Sequence, residues 1–448
     1  MKNILCKIVV FILAAITLVM VCVGCKKPND NSGGADGPID LNIDKNISAK
    51  IRVGIQQSES EKQIVSAFAG EFKKSYPNVK IEIVEMSGNY TETLISAVSV
   101  GDVPDVLWVR DEDVTYYAAN DILLNLDAYL EKSGFNASDY YQSMLDLGKI
   151  NQRGSQYMLP RDYNKIIVYY NKDYLKTAGV EKGSELYPHD DWTYDQFLKL
   201  CETLKKKLPV GVYPVDAMLT WAPIYNTYVR TFGGYLMDKN GKPAFDSANA
   251  VKGLDALDYL FKSGYTINPA NKTEDLFLSR KSAMWFSTRP SISNIEAMGI
   301  EYDAVSFPFI GDKGYIGTGA SGYAVSTYSK NKALSFLFVE SMLSKASQEA
   351  FSKTGNAVPV RKDLATNGKW LECPNDILFF NHYAFTKYPE RDCITDYLNN
   401  VDNDYVSSVN EKILGLLDDY MGWSEPAGDK AATLKKYKSE INRILTSD

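Results

Sequence analysis

Hydrophobic residues alternate between two periods along residues 51–109. Every second position is apolar in residues 51–55 and again in 79–83, which is typical of half-buried β-strands. Apolar residues recur at helical spacing between them, in 64–72, and a further helix is predicted over 90–100. Residues 106–109 form a short, fully apolar run. This β-α-β-α-β order predicts a mostly parallel sheet covered by helices.

Loops that follow parallel strands are the usual place for ligand contacts. Glu59, Asn89 and Asp111 lie in three such loops and are candidates, because carboxylate and amide groups bond ligand hydroxyls. Glu59 and Asn89, each taken alone, are more often ordinary loop residues or helix caps. The three loops are residues 56–61, 87–90 and 110–113.

A second strand and helix cycle begins near Leu159. Residues 166–170 read as a strand, and Thr193 opens a helix that runs toward Leu204. Strong helical patterns follow in 250–262 and 332–343. A chain of 448 residues is too long for one core and suits two or three domains.

The N-terminus reads as an export signal. Lys2 and Lys7 precede an uncharged apolar run in residues 8–23, and a polar segment follows at once, which disfavours a permanent membrane helix. Residues 1–24 are predicted to be a lipoprotein signal peptide. Residues 25–48, rich in Asn, Asp, Gly, Ser and Pro, are predicted to be a disordered tether.

Val23-Gly24-Cys25 resembles the lipobox of bacterial lipoproteins, although Cys22 stands where that motif usually has leucine. The resemblance implies a lipidated Cys25, a diacyl (palmitate-type) anchor and a location on the extracellular face of the cell membrane. The remaining cysteines, Cys201, Cys373 and Cys393, are odd in number and predict no disulfide scaffold, while a Cys373–Cys393 bridge stays open.

Composition excludes some classes of protein. Hydrophobic content is 45%, charged content is 23% and the formal net charge is −7. Loss of Lys2 and Lys7 with the signal peptide takes the charge to −9. An acidic chain without basic patches is not expected to bind nucleic acid.

Eight segments of the mature chain resemble, in order, the extracellular solute-binding proteins of ABC importers, in the branch that includes maltose-binding protein. The most specific is LPRDYNKIIVYYNKDYLKTAG at 159–179. The others are YPNVKIEI (76–83), GDVPDVLWV (101–109), DWTYDQFLKLCETL (191–204), FDSANAVKGLDALDYL (245–260), FLSRKSAMWFS (277–287), GTGASGYAVSTYSKNK (317–332) and FSKTGNAVPVRKD (351–363).

The resemblance implies an α/β, two-lobed periplasmic-binding-protein-like fold of type II, with hinged lobes and a central cleft. Lobe 1 would hold residues 49–160 and 312–357, and lobe 2 residues 163–310 and 358–448. Hinges would fall near 161–164, 311–317 and 357–361.

The implied function is capture of an extracellular carbohydrate, with an oligosaccharide favoured by the supply of 30 Tyr and 6 Trp. A monomeric carrier would deliver it to the permease subunits, without a cofactor. Binding of a non-sugar solute stays open, because the family also takes polyols and phosphorylated or charged solutes.

Aromatic residues are the candidates for stacking on sugar rings. Family position places Trp285 at the cleft, where the alternative is a core residue, and Trp221 with Tyr225 lies in a lobe 2 loop that often supplies such a ring. Trp108, at the end of the third strand, is equally core or cleft.

Arg161 and Asp162 fall at the first implied hinge, where the cleft floor would lie. Gly319 belongs to Gly317-Thr-Gly-Ala-Ser-Gly322, which formally matches a dinucleotide fingerprint. A strand-like segment follows instead of a helix, so the resemblance favours a crossing loop whose glycines let the backbone approach ligand.

Two other classes remain as alternatives. A secreted glycosidase would need two facing carboxylates, but neither His189 nor His382 lies in a catalytic or metal motif. An adhesion or scaffold lipoprotein would have no need of lobe crossings or hinge glycines.

Overall fold

The computed structural model describes residues 38–355, 357–367, 381–401 and 403–446, and the chain from Asp40 onward forms one compact unit. The predicted signal peptide, Cys25 and most of the predicted tether lie outside the described residues, as does Cys373. Cys201 and Cys393 carry free, buried thiols within the described residues. None of the helices in these ranges is both long enough and apolar enough to span a bilayer.

The strands in the described residues are β1 Ala49–Gln56, β2 Val79–Met86, β3 Val106–Arg110, β4 Leu159–Pro160, β5 Asp162–Lys165, β6 Ile167–Asn171, β7 Tyr213–Asp216, β8 Ser282–Ser287, β9 Tyr302–Ser306, β10 Ile316–Gly319, β11 Ser321–Val325, β12 Val358–Pro359 and β13 Asp392–Ile394.

The α-helices in the same ranges are α1 Glu59–Phe72, α2 Tyr90–Val100, α3 Val114–Ala119, α4 Asp127–Ser133, α5 Gln142–Leu147, α6 Lys172–Thr177, α7 Tyr194–Lys207, α8 Ala222–Thr231, α9 Ala248–Lys262, α10 Ile292–Ala297, α11 Lys332–Ser341, α12 Lys345–Ser352, α13 Lys362–Asn367, α14 Asn403–Met421 and α15 Lys430–Ile444.

The first lobe is built on a five-stranded sheet in the order β2-β1-β3-β11-β4. β1 is parallel to β2 and β3, as the hydrophobic pattern predicted, and its residues Ile51, Val53 and Ile55 are fully buried. β11 pairs antiparallel with β3 and β4, because it belongs to a later part of the chain that returns to this lobe. The carboxyl end of β3 therefore lies beside the start of β11.

The second lobe is built on a four-stranded sheet in the order β7-β8-β6-β9. Its main core lies on the face that carries Val168, Met284 and Phe286, against α7, α8 and α9. Helix α7 begins at the predicted place, where Thr193 forms a capping box with Gln196.

A third sheet, in the order β12-β5-β10-β13, lies between the other two along the chain. The consecutive strands β4, β5 and β6 belong to three different sheets, with Arg161 and Ile166 as the intervening residues. β10 and β11 likewise change sheet at Ala320. The chain thus passes between lobes through short crossing strands, which is the two-lobed arrangement that the resemblance implied.

The glycine-rich segment is confirmed as a strand crossing, since β11 follows it where a dinucleotide site needs a helix. Its glycines allow close approach of other parts of the chain. A Cβ on Gly322 would lie 2.1 Å from the carbonyl oxygen of Leu159, and one on Gly317 would lie 2.9 Å from that of Pro223.

Candidate ligand-binding site

A cavity of about 300 Å³ lies where the turn after β3 in the first lobe faces α8, α14 and the segment after β13. It has the size expected of a small-molecule site. Its lining residues are Arg110, Asp111, Glu112, Asp113, Thr115, Tyr116, Gln152, Ala222, Pro223, Thr395, Tyr397, Leu398, Asn399, Val406, Ser407 and Asn410.

Asp111 presents the central carboxylate of the first-lobe wall. It follows β3 directly, its Oδ1 accepts the N–H of Glu112 at 3.0 Å, and its own N–H donates to the carbonyl of Ala320 at 3.2 Å. A Cβ built on Gly319 would lie 3.0 Å from Oδ2, so the glycine leaves room for this carboxylate. The structure thereby brings together two predicted residues that are far apart in sequence.

Three carboxylates and one guanidinium stand within one turn at this wall. Arg110 pairs with Glu112 at 2.6 Å and with Asp113 at 2.7 Å. Asp111 has no such cationic partner among the described residues, and burial, followed by the negative charge of Glu112, raises its pKa to about 7. Asp111 is therefore an acceptor in the cavity whose charge changes near neutral pH.

The second-lobe wall is held by a hydrogen-bonded chain of side chains. The hydroxyls of Tyr225 and Tyr397 lie 2.8 Å apart, and the hydroxyl of Tyr397 donates to Oδ1 of Asn410. Trp221 caps the start of α8 and is partly buried against the second-lobe core, directly before the lining residues Ala222 and Pro223. Neither residue of the predicted pair lines the cavity, and Tyr225 contacts the wall through the lining residue Tyr397.

Aromatic surface reaches the cavity from both lobes. Tyr116 on α3 is 43% exposed, and Tyr397 approaches from the opposite wall. The exposed ring of Tyr116 offers the flat apolar face that pyranose or furanose ring carbons pack against.

Trp108 and Trp285 lie in the cores of their lobes and do not line this cavity. Trp108 is 7% exposed and meets Tyr90 edge to face at 5.2 Å between ring centroids. Trp285 is 5% exposed and stacks on Phe277 at 5.8 Å. Trp285 is therefore a core residue, which is the alternative to a cleft position that the sequence left open.

Glu59 and Asn89 have local roles at the starts of helices. Asn89 caps α2 by accepting the N–H of Glu92 at 3.2 Å. Glu59 is exposed in the first turn of α1 and lies 3.7 Å from Lys62. Neither residue lines the cavity.

Arg161 and Asp162 lie in the crossing itself, in a buried charge cluster. The guanidinium of Arg161 pairs with the carboxylate of Glu61, and its Nε lies 3.4 Å from Asp162. The hydroxyl of Tyr323 faces the same Glu61 carboxylate at 3.5 Å. These side chains form ion pairs and hydrogen bonds with one another, and none of them lines the cavity.

Several lining residues were not predicted from the sequence. Tyr116 stands three residues after the predicted loop 110–113, so the position of that loop was the available signal. No motif marks Gln152, Tyr397 or Asn410, and the strand β13 that ends just before Thr395 is only three residues long and was not predicted from the sequence. Packing of one lobe against the other brings Gln152 to the other three, which all belong to the second lobe.

The fold and the cavity between its lobes define a solute-binding protein of the two-lobed, strand-crossed class. Residues 56–349 match the family model for bacterial extracellular solute-binding proteins, and the chain belongs to that family.

Curated relatives bind different solutes according to their names. The maltodextrin-binding protein MdxE of Bacillus subtilis is 25% identical over 68% of this chain and 72% of its own length. The sn-glycerol-3-phosphate-binding protein UgpB of Brucella abortus is 27% identical over 55% of this chain and 59% of its own length.

Solved structures share the fold. A substrate-binding protein of Listeria monocytogenes in complex with cycloalternan aligns with a TM-score of 0.72 at 20% identity, covering 90% of this chain and 100% of its own. UgpB of Mycobacterium tuberculosis in complex with glycerophosphocholine aligns with a TM-score of 0.70 at 17% identity, covering 88% and 98%.

Proposed function

We propose that this protein is the substrate-binding lipoprotein of an ABC importer, which captures an extracellular oligosaccharide and delivers it to the permease. The observation that carries the proposal is the cavity between the lobes, where carboxylates and amides stand beside exposed aromatic surface. Hydroxyl groups of a sugar need such planar acceptors, and its ring carbons need such a face.

Local charge favours a neutral carbohydrate over a phosphorylated solute. Three carboxylates line the cavity, at Asp111, Glu112 and Asp113. Among the described lining residues the one cation is Arg110, which is already paired with two of these carboxylates. A phosphate group needs free arginine, lysine or backbone N–H donors, which these lining side chains do not offer. The maltodextrin-type relatives are therefore the better guide to the ligand than UgpB.

We propose residues 49–160 and 312–357 as lobe 1 and residues 163–310 and 358–448 as lobe 2, with the crossing strands as the hinge. Strand β10, at 316–319, belongs to the crossing sheet, which favours a lobe 1 re-entry at Ala320. Ligand would shift the balance between open and closed arrangements, because the closed one contacts it from both lobes.

Thermal unfolding of residues 26–448 tests the ligand class. We expect maltotriose or an arabinooligosaccharide at one hundred times its dissociation constant to add about 2.7 kcal/mol to the free energy of unfolding. sn-Glycerol-3-phosphate should add nothing. The sugar should be recovered intact by chromatography, and its cleavage would instead establish the glycosidase alternative.

Replacement of Tyr116 by alanine should weaken sugar binding by about tenfold, since loss of a stacked ring costs on the order of 1–1.5 kcal/mol. Tyr328 provides a matched control, because it is also 43% exposed but does not line the cavity. Calorimetry should show wild-type affinity for Tyr328→Ala. Equal affinities for the two variants would remove the ring of Tyr116 from the binding surface.

We propose a diacyl anchor on Cys25 that holds a monomeric protein at the outer face of the cell membrane. Expression of the full chain with Cys25→Ser should move the protein from the membrane fraction to the medium. Cys22→Ser, the neighbouring cysteine, should leave it in the membrane fraction. Retention of both variants in the membrane would contradict lipidation at Cys25.

A further inference from the structure

A first-lobe turn that contains residues 151–153 forms two hydrogen bonds to the second lobe at the edge of the cavity. Nε2 of Gln152 donates to the backbone carbonyl of Thr395 at 3.0 Å. The guanidinium of the next residue, Arg153, donates to the side-chain oxygen of Asn400. Both bonds join lobes that are linked elsewhere by crossing strands. The bond of Gln152 is partly buried in the cavity wall and bears directly on how far the cleft opens, whereas the bond of Arg153 is exposed and is expected to contribute little.

Backbone geometry shows that this turn is held in an uncommon shape. Asn151 and Gln152 have φ angles of 49° and 55°, and a glutamine rarely adopts this left-handed conformation. The turn is braced by the N–H of Asn151, which donates to the hydroxyl of Thr115 at 3.0 Å. Such strain persists only where surrounding contacts fix it, and it concentrates at ligand clamps and switch regions.

Each partner also keeps a polar atom without a bond. Gln152 uses its Nε2 on the other lobe, whereas its Oε1 is buried and has no hydrogen-bond partner among the described residues. The hydroxyl of Thr395 is buried and unpartnered in the same way. Both residues line the cavity. Buried polar atoms are normally satisfied, so these two are suited to hydroxyl groups of a bound solute.

We propose that Gln152 and Thr395 form a ligand-sensing latch, in which neighbouring hydroxyls of one bound sugar bond both side chains and so strengthen the contact between the lobes. This rests on the proposed function for the sugar. The latch itself is present without it, because the bond from Gln152 to the carbonyl of residue 395 needs no ligand. A solute without hydroxyls at this end of the cavity would bind without tightening the latch.

Two isosteric variants separate the interlobe bond from the ligand contact. Thr395→Val removes the hydroxyl but keeps the backbone carbonyl that accepts from Gln152. Gln152→Met removes both the interlobe bond and the unpartnered Oε1. Arg153→Met is the matched control, because it breaks an exposed interlobe bond outside the cavity lining.

Small-angle X-ray scattering without ligand tests the latch independently of any sugar. We expect a larger radius of gyration for Gln152→Met than for the wild type, and an unchanged one for Thr395→Val. Identical scattering for all variants would overturn the latch, even if the protein binds sugar.

Calorimetry and stopped-flow kinetics with maltotriose as the probe test the ligand contact. We expect about a fivefold loss of affinity for Thr395→Val and a loss of tenfold or more for Gln152→Met, both in the dissociation rate. Arg153→Met should retain the wild-type dissociation rate within twofold. Wild-type affinity for Thr395→Val would show that water, not sugar, meets these atoms and would overturn the sensing role. Failure of the wild type to bind any sugar would count against the proposed function. The interlobe bond would then be tested by the scattering experiment alone.

Discussion

Replacement of Arg161 by methionine is expected to lower the free energy of unfolding by about 3–5 kcal/mol, the usual cost of removing one partner from a buried charge cluster. Burial opposes the charge of Arg161, but the carboxylates of Glu61 and Asp162 outweigh it and raise the pKa of the guanidinium. Without Arg161 these two carboxylates would face each other in the interior of the crossing. Urea denaturation at pH 7 measures the loss.

The loss should shrink as the pH falls. Burial already raises the pKa of Asp162 against the lowering effect of Arg161, so in the variant the folded-state pKa of Asp162 would lie further above its unfolded value. Stability would then be lost as the pH rises through that range and regained in acid. Lys206→Met is the surface control, because Lys206 and Glu202 form an exposed pair worth at most about 1 kcal/mol. A loss for Arg161→Met no greater than that of Lys206→Met would contradict a structural role for the cluster.

Local patterns predicted the secondary structure well, because hydrophobic period and cap residues act within a few positions. Residues 51–55 and 79–83 lie in β1 and β2, and the helix predicted over 90–100 is α2. The crossing between sheets at Arg161 followed from the family resemblance and is confirmed by the strand order. Periodicity alone contains no information on which sheet a short strand joins.

Candidate ligand residues were harder to predict, because the side chains that bind sugars also cap helices and fill cores. Asn89 has the right chemistry at the end of a strand, but its oxygen is used by the first turn of α2. Trp285 lies in a strand that is buried throughout, where an aromatic ring serves packing equally well. Asp111 differs from both in having a carboxylate that the crossing leaves facing the cavity.

Contacts between distant parts of the chain could not be predicted in this way. Gly319 accommodates Asp111 from more than two hundred residues away, and Tyr397 reaches Tyr225 across a similar separation. These pairs depend on how the strands cross and how the lobes pack. Nothing in their local sequence distinguishes them from other glycines and tyrosines.

Sugar affinity is expected to rise with pH through about 7 and to level off above it. The cause is Asp111, whose pKa burial raises to about 7 and whose ionised carboxylate is the better acceptor for a sugar hydroxyl. If only the ionised form binds, affinity should increase by about 30-fold from pH 5.5 to pH 8, following the ionised fraction of a group with that pKa. Calorimetry with maltotriose across this range gives the profile.

Asp111→Asn should bind about 10- to 100-fold more weakly at pH 8, since it loses a hydrogen bond to a charged group worth about 1.5–3 kcal/mol, and its affinity should not change with pH. Without ligand, Asp111→Asn should be more stable than the wild type at pH 8. An aspartate whose folded pKa exceeds its unfolded pKa loses stability as the pH rises from about 4 through 7, so the wild type should lose about 2.6 kcal/mol relative to the variant between pH 5 and pH 8.

Glu112→Gln identifies the titrating group. The negative charge of Glu112 contributes to the raised pKa of Asp111, so its removal should move the midpoint of the affinity profile to lower pH while binding at pH 8 stays near that of the wild type. A profile that keeps its midpoint in Glu112→Gln, or that persists in Asp111→Asn, would assign the pH dependence to another group. A shifted midpoint together with a flat profile for Asp111→Asn would place the carboxylate of Asp111 against the sugar, because no other lining group would then account for both results.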